Sequence, residues 1–322
     1  MSVDPDAREL VLTVRQKSEI ADGVFLFELR SPTGAELPPF TPGSHITVTA
    51  PSGQKRRYSL CNDSGERDRY VIAVKQESSG RGGSLSFTKS VREGDRIAVE
   101  PPANEFEMAA FEPKHFIFIA GGIGITPIRA MILHCIRQGK QNFTLYYFTR
   151  TQQAMAFREE FSAPEFAGKV ILHHDNGEPN QAYDLWPVLE EQRGAHLYCC
   201  GPRGLMDAVR DMTGHWSDSA VHFEDFVGAS APHADDRPFE VKLAKSGKSY
   251  EVAAGVSILD TLRQQGHVLA SSCESGTCGT CRTRFTEGEP DHRDLVLSDR
   301  EKKSEIMICV SRSKSPSLTL DI

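Results

Sequence analysis

Four cysteines near one end of the chain carry the strongest chemical signal. Of eight cysteines (61, 135, 199, 200, 273, 278, 281 and 309), four fall within the last 50 residues. Cys273-Glu-Ser-Gly-Thr-Cys278-Gly-Thr-Cys281 is followed after 27 residues by Cys309. The pattern C-x4-C-x2-C…C is the plant-type spacing of a [2Fe–2S] centre. Two irons need four thiolates, and three of them come here from one tight loop. The residues between them (Ser275, Gly276, Thr277, Gly279, Thr280) are small, which lets backbone N–H groups approach the sulfurs. Cys309 lies in the apolar run Ile306–Val310, expected as a strand that carries the fourth ligand. A structural zinc site usually pairs two knuckles, whereas Cys309 stands alone. A disulfide framework would need an oxidising compartment.

Two further groups of residues suit nucleotide chemistry. Arg56-Arg57-Tyr58-Ser59-Leu60 contains R-x-Y-S. As a strand edge it puts Arg56, Tyr58 and the Leu60 backbone on one face and Ser59 on the other. A flat ring could stack on Tyr58 while Arg56 pairs with phosphate and Ser59 bonds a ring nitrogen. Downstream, Gly80-Arg81-Gly82-Gly83-Ser84 reads as a glycine turn opening a helix, whose amides could hold phosphate. Farther on, FIFIA (116–120) runs into Gly121-Gly122-Ile123-Gly124-Ile125-Thr126-Pro127, a strand, glycine turn and helix. Pro127 suits the first helical position. It also occupies the place of the third glycine in G-x-G-x-x-G, so an ordinary dinucleotide dehydrogenase is disfavoured. Cys199-Cys200-Gly201-Pro202 ends another strand where a second turn would reach the same crevice; a plain strand-to-helix turn reads equally well. Of the two cysteines only one can face a ligand, and Cys200 is the choice. Glu224 and Asp225 read as turn or surface charges that adjoin the proposed flavin site, and Cys61 and Cys135 as packing residues.

The elements that position these residues divide the chain into three. Residues 1–110 hold short alternating runs such as Leu10–Val14, His45–Thr49 and Tyr70–Lys75, expected as an antiparallel β-barrel or sandwich. Residues 111–228 alternate apolar strand runs with helical stretches (Pro127–Gln138, Met155–Phe161, Leu205–Met212), the pattern of an α/β parallel sheet. Residues 229–237, ASAPHADDR, read as a linker. Residues 238–322 open with a hairpin around Ser246-Gly247-Lys248. Ser257 then caps a helix over Ile258–Gln265 that stops at Gly266.

The chain has 322 residues, a net charge of −7 and a pI of about 5.9, a balance unlike that of most nucleic-acid binders. No apolar run approaches a membrane span, and MSVDPDAREL lacks the features of a signal peptide. A cytoplasmic protein is expected.

These motifs together resemble the ferredoxin–NADP reductase superfamily, in its branch of oxygenase reductases with a C-terminal plant-type ferredoxin domain. RRYSLCNDS, RYVIAVKQESSGRGGS, AGGIGITP, YCCGP, HFEDF, SSCESGTCGTC and MICVSR carry the likeness. It implies a β-barrel flavin domain, an α/β nucleotide domain and an α+β β-grasp ferredoxin domain. It implies FMN rather than FAD, NADH as donor, and a Rieske-type oxygenase component as partner. Matching positions make Arg56, Tyr58, Ser59 and Leu60, then Ala73, Val74 and Lys75, then Gly82, Gly83 and Ser84 the flavin contacts. Gly122, Thr126, Cys200, Gly201, Pro202 and Met206 would line the nicotinamide site, although Met206 reads equally well as a helix-core residue, and Phe226 would be the aromatic residue beside the flavin. Ser59, Cys200 and Phe226 stand nearest the chemistry. Asp175 is a candidate ribose ligand or a solvated turn residue, and Arg150 could accept a 2′-phosphate, or Thr149-Arg150 could cap a loop. Cys273, Cys278, Cys281 and Cys309 would hold the cluster. An NADH-dependent reductase of an aromatic-ring oxygenase is expected, as a monomer. An FAD-dependent reductase serving a monooxygenase or quinone, or a redox sensor without turnover, are the competing readings.

Overall fold

The computed structural model describes residues 9–77, 83–109, 113–226, 236–271, 276, 279–294, 296–298 and 300–322. They belong to two units, Met1–Glu224 and Asp225–Ile322.

The first unit opens with β1 (Leu10–Ala21), β2 (Val24–Arg30), β3 (Ser44–Thr49), β4 (Lys55–Ser59), β5 (Tyr70–Lys75), α1 (Gly83–Ser90), β6 (Arg96–Val99) and β7 (Ala103–Asn104). The strands pair antiparallel in the order β4-β3-β6-β1-β2-β5, with β7 added on β3. The sheet curls until its outer strands meet at a single bridge, Leu60 to Ile72. The ladder therefore does not close into the barrel expected. Its concave side is filled by Phe27, Ile46, Leu60, Tyr70, Ile72 and Phe87, among others. Each such side chain contributes about 1.5–3 kcal/mol by leaving water.

The second half of this unit contains β8 (His115–Gly121), α2 (Ile125–Arg137), β9 (Phe143–Thr149), α3 (Arg158–Phe161), β10 (Val170–His174), α4 (Trp186–Leu189), β11 (Ala195–Cys200), α5 (Arg203–Thr213) and β12 (Val221–Glu224). Its strands are all parallel, in the order β10-β9-β8-β11-β12. The chain order reverses between β8 and β11, so the turns leaving these two strands meet at one crevice. Only Arg158–Phe161 of the helical stretch Met155–Phe161 is helix. Pro127 is the third residue of α2 rather than the first, still within the opening turn, where no intrahelical bond calls on its missing amide. β5 ties the two halves together. Ile72 and Val74 enter the curled sheet, while Ala73 joins Val24 and Phe106 in one apolar cluster with Met131 of α2.

The second unit contains β13 (Phe239–Leu243), β14 (Ser249–Val252), α6 (Ile258–Gln264), β15 (Arg282–Glu287), β16 (Pro290–Asp291), β17 (Glu305–Met307), β18 (Arg312–Ser313) and β19 (Ser317–Leu320). The main sheet runs β14-β13-β19-β15-β17. The expected hairpin is β13–β14, with Gly247 at φ +68 in its turn. Ser257 caps α6 by accepting the Asp260 amide, and Gly266 follows the helix at φ +83. Cys309 departs from expectation. The strand ends at Met307, whose carbonyl accepts both the Val310 and Ser311 amides, so Ile308–Val310 is a turn. Of the linker, Asp236 and Arg237 are described; Asp236 lies 2.7 Å from Arg293 and 3.5 Å from Arg312, with its side chain buried.

The crevice rests on a backbone contact. A Cβ on Gly124 would stand 2.1 Å from the Cys200 carbonyl oxygen, so the turn after β8 lies directly on the end of β11. Gly124→Ala is expected to destabilise the first unit by about 1–3 kcal/mol, as other overpacked sites do. The measurement is urea unfolding followed by fluorescence, and an unchanged midpoint would contradict the contact.

Candidate active site

β4 presents two chemically different faces. On one, Arg56 and Tyr58 turn toward α1. The Arg56 guanidinium donates to Gln54 at 2.7 Å and to the Lys55 carbonyl at 2.7 Å. Its Nε would be 2.6 Å from a Cβ on Gly83, the first residue of α1. A cation is thereby held against the amino end of a helix, a donor set that fits phosphate. The Tyr58 ring packs 5.8 Å from that of Phe87. Its hydroxyl is buried with no hydrogen-bond partner among the described residues, and burial pushes the phenol up to about 12. A buried orphan hydroxyl beside a phosphate-type cradle fits a bound nucleotide that supplies the missing partner.

The other face carries Arg57 and Ser59. Arg57 pairs with Glu105 at 2.7 Å and lies 3.2 Å from His45 Nδ1. The Ser59 hydroxyl donates to Glu224 Oε2 at 3.3 Å. Burial pushes the Glu224 carboxyl up to about 8, against the opposing pull of Arg57 and of the Ser59 hydrogen bond. Glu224 ends β12 in register with Cys200 of β11, so it stands at the rim of the crevice. Sequence reasoning read Glu224 as a turn or surface charge. Instead it forms a proton-holding pair with Ser59 across 165 positions of chain.

The other expected flavin contacts are placed unevenly. The Leu60 amide already donates to the Ser44 carbonyl at 2.8 Å, so Leu60 holds the strand rather than offering a donor. Ala73 and Val74 are buried on opposite faces of β5, which packs against the Gly122–Gly124 turn. Lys75 is exposed and paired with Glu77 at 2.9 Å. The Ser84 hydroxyl accepts the Glu77 amide at 3.1 Å. Gly82 lies outside the described residues.

The nicotinamide candidates separate into open and packed groups. Gly122 has φ +54 and nothing within 4 Å of a Cβ position, leaving open space above the turn. Gly201 and Pro202 pack on Gly121 at the mouth of the crevice. Cys200 and Met206 are fully buried, in the clusters on opposite faces of the sheet. Thr126 is buried and its hydroxyl donates to the Ile123 carbonyl, which closes the turn from within. Asp175 is a turn residue whose carboxylate accepts the Gly177 amide at 2.8 Å. Arg150 is exposed, its Cδ 4.0 Å from a Cβ position on Gly177 in that turn. Phe226 is exposed, in the second unit, two residues beyond Glu224.

In the second unit the β15–β17 ladder brings the ends of two cysteine-bearing segments together. Arg282 pairs with Met307, so Cys281, one residue earlier, faces the turn that holds Cys309. Both cysteines are buried in one cluster. Gly276, inside the cysteine loop, has φ +78, and a Cβ there would meet Val310 Cγ2 at 2.8 Å. Gly276 thus lies against the residue after Cys309, and only glycine suits that conformation. Cys273 and Cys278 lie outside the described residues. Two cysteines buried in one cluster, with Gly276 packed on the residue after one of them, have a chemistry that fits an iron–sulfur centre.

Residues 118–211 match the oxidoreductase NAD-binding domain family, and residues 241–314 match the 2Fe-2S iron-sulfur cluster binding domain family. A phthalate dioxygenase reductase of Burkholderia cepacia is 50% identical over 314 residues, covering 97% of both chains. The chain belongs to the phthalate dioxygenase reductase family. A phthalate 4,5-dioxygenase oxygenase reductase subunit of Pseudomonas putida is 50% identical over 312 residues, 97% of this chain and 96% of that one. A solved phthalate dioxygenase reductase, titled as a modular structure for electron transfer from pyridine nucleotides to [2Fe–2S], superposes with a TM-score of 0.84. It is 48% identical and covers 98% of each chain.

The raised carboxyl has a consequence for stability. The folded chain binds the Glu224 proton more tightly than the unfolded chain does. The linked stability is therefore full below the ordinary carboxyl pKa of 4.5 and lost as pH rises through about 8. Glu224→Gln is expected to flatten the fall in urea midpoint between about pH 5 and about pH 8. A variant that keeps the wild-type slope would contradict the assignment.

Proposed function

We propose that this protein is the reductase component of a two-component, Rieske-type aromatic-ring oxygenase, drawing electrons from NADH and delivering them singly to the oxygenase. The observation that carries the reading is the full-length match to reductases of phthalate dioxygenase systems, over a chain that holds a nucleotide crevice and a cysteine-ligand turn in one polypeptide. The protein functions as three modules: a flavin module over 1–110, a nucleotide module over 111–228 and, after the linker 229–237, a ferredoxin module over 238–322. Among the described residues no helix is long and apolar enough to cross a membrane. We take the protein to act as a monomer in the cytoplasm, with the carboxylated aromatic substrate chosen by the oxygenase.

When bound, FMN would accept a hydride from NADH and release its electrons one at a time to a [2Fe–2S] centre. Arg56 and the amino end of α1 would hold its phosphate end, and the Tyr58 hydroxyl, unpartnered among the described residues, would find a partner there. Gly122, Gly201 and Pro202 would shape the crevice for the dinucleotide, and Arg150 and the Asp175 turn would be the candidates to contact its adenosine end. Ser59 and Glu224 hold a proton at the rim: the Ser59 hydroxyl donates to a carboxyl that is itself protonated through much of the neutral range. The alignment of the reacting atoms, rather than a strong acid or base, limits such a reaction. Cys281 and Cys309, with Cys273 and Cys278, would bind the cluster.

The purified protein should contain FMN, with iron and sulfide in about a two-to-two ratio. Flavin released by heat and separated by chromatography distinguishes FMN from FAD. Cys309→Ser should remove the cluster absorbance while NADH still bleaches the flavin. Flavin without cluster iron in the wild type would sink the reading.

A further inference from the structure

Helix α2 begins at the glycine turn of the crevice and carries a row of polar residues along one side. That side grips residues 61–65, the segment that leaves the R-x-Y-S strand. Arg129 donates to the Cys61 carbonyl and, through Nε, to Glu160 at 2.8 Å. The same guanidinium lies 4.6 Å from the Phe157 ring, and Phe157 holds a left-handed φ of 56, which is uncommon for a residue with a bulky side chain. Two turns along, Arg137 pairs with Asp63 at 2.9 Å, and Ser64 bonds His134 at 3.3 Å. The gripped segment is itself tied to β5, because the Cys61 amide donates to the Val71 carbonyl at 2.9 Å and Asn62 accepts the Val71 amide at 2.9 Å.

We propose that Arg129 is a positioning residue that sets the separation between the flavin-holding strands β4 and β5 and the Gly122–Gly124 turn. The inference rests on the reading of this crevice as the place where NADH meets the flavin. Apolar packing between the two halves resists separation, but it is non-directional and tolerates sliding. Arg129 supplies direction. It is only 18% exposed, and one planar cation bridges a backbone carbonyl from the curled sheet to a carboxylate on α3 while stacking on a ring. Methionine in its place keeps the aliphatic bulk but leaves the Cys61 carbonyl and Glu160 without that partner.

The test uses the full-length holoprotein, mixed anaerobically with NADH in a stopped-flow instrument. The rate of flavin bleaching is taken per bound flavin, with NADH and with NADH deuterated at the transferred position. Arg129→Met is expected to slow bleaching about tenfold or more, since small misplacements are costly in hydride alignment. The isotope effect should persist or grow. Arg129→Lys keeps the charge without the planar fork, so its rate should fall between those of Arg129→Met and the wild type. Glu160→Gln, which weakens the grip without emptying it, is expected to slow bleaching about threefold and serves if Arg129→Met loses its flavin. A purely structural role would lower flavin content or melting temperature while leaving the rate per bound flavin and the isotope effect at wild-type values, and that result would overturn the proposal. A wild-type protein that NADH cannot bleach would overturn the reading of the crevice, and the proposal with it.

Discussion

The close approach of two backbones at the switch point of the parallel sheet is the constraint on which the first unit depends. The turn after β8 can lie on the end of β11 only because Gly124 and Gly201 have no side chains. That contact brings the carboxyl ends of β8, β11 and β12 to one rim. The crevice, the open space above Gly122 and the Glu224 carboxyl all follow from it. Glycines in this turn serve the meeting of chain with chain as much as the approach of a phosphate.

The curled antiparallel sheet meets this rim through β5, whose alternate side chains fill two different clusters. One strand therefore belongs to both halves, and its short length leaves little freedom for them to shift. The polar row on α2 adds direction to a contact that apolar packing alone would leave loose. β4 lies at the far end of the same sheet, but the curl returns it to β5 at Leu60 and Ile72. A strand with an arginine on each face can then hold phosphate on one side and face a carboxyl on the other.

Much of this was legible in the sequence because local rules govern it. The hairpin around Gly247, the Ser257 cap and the strand–turn–helix at Gly121 follow from turn chemistry and period, which act over a few residues. Cys309 misled because an apolar run reads as strand, whereas the Met307 carbonyl captures two amides and turns the chain. The pairing of Glu224 with Ser59 was not legible, although Glu224 was read as adjoining the proposed flavin site, because the two are distant in sequence and no local pattern marks their meeting. That the Leu60 amide is taken by the Ser44 carbonyl was not legible, because that bond depends on strand pairing. Cys200, Met206 and Thr126 have the composition of ligand contacts and the burial of core residues, and only the packing of α2 and α5 separates the two.

Everything in the proposed function turns on one chain coupling a two-electron carrier to a one-electron carrier. Anaerobic titration with NADH, followed by flavin and cluster absorbance together, tests that coupling most directly. The expected uptake is about three electrons per chain, two at the flavin and one at the cluster. Uptake that stops at about two electrons, with the cluster spectrum unchanged in a protein that contains its iron, would contradict it.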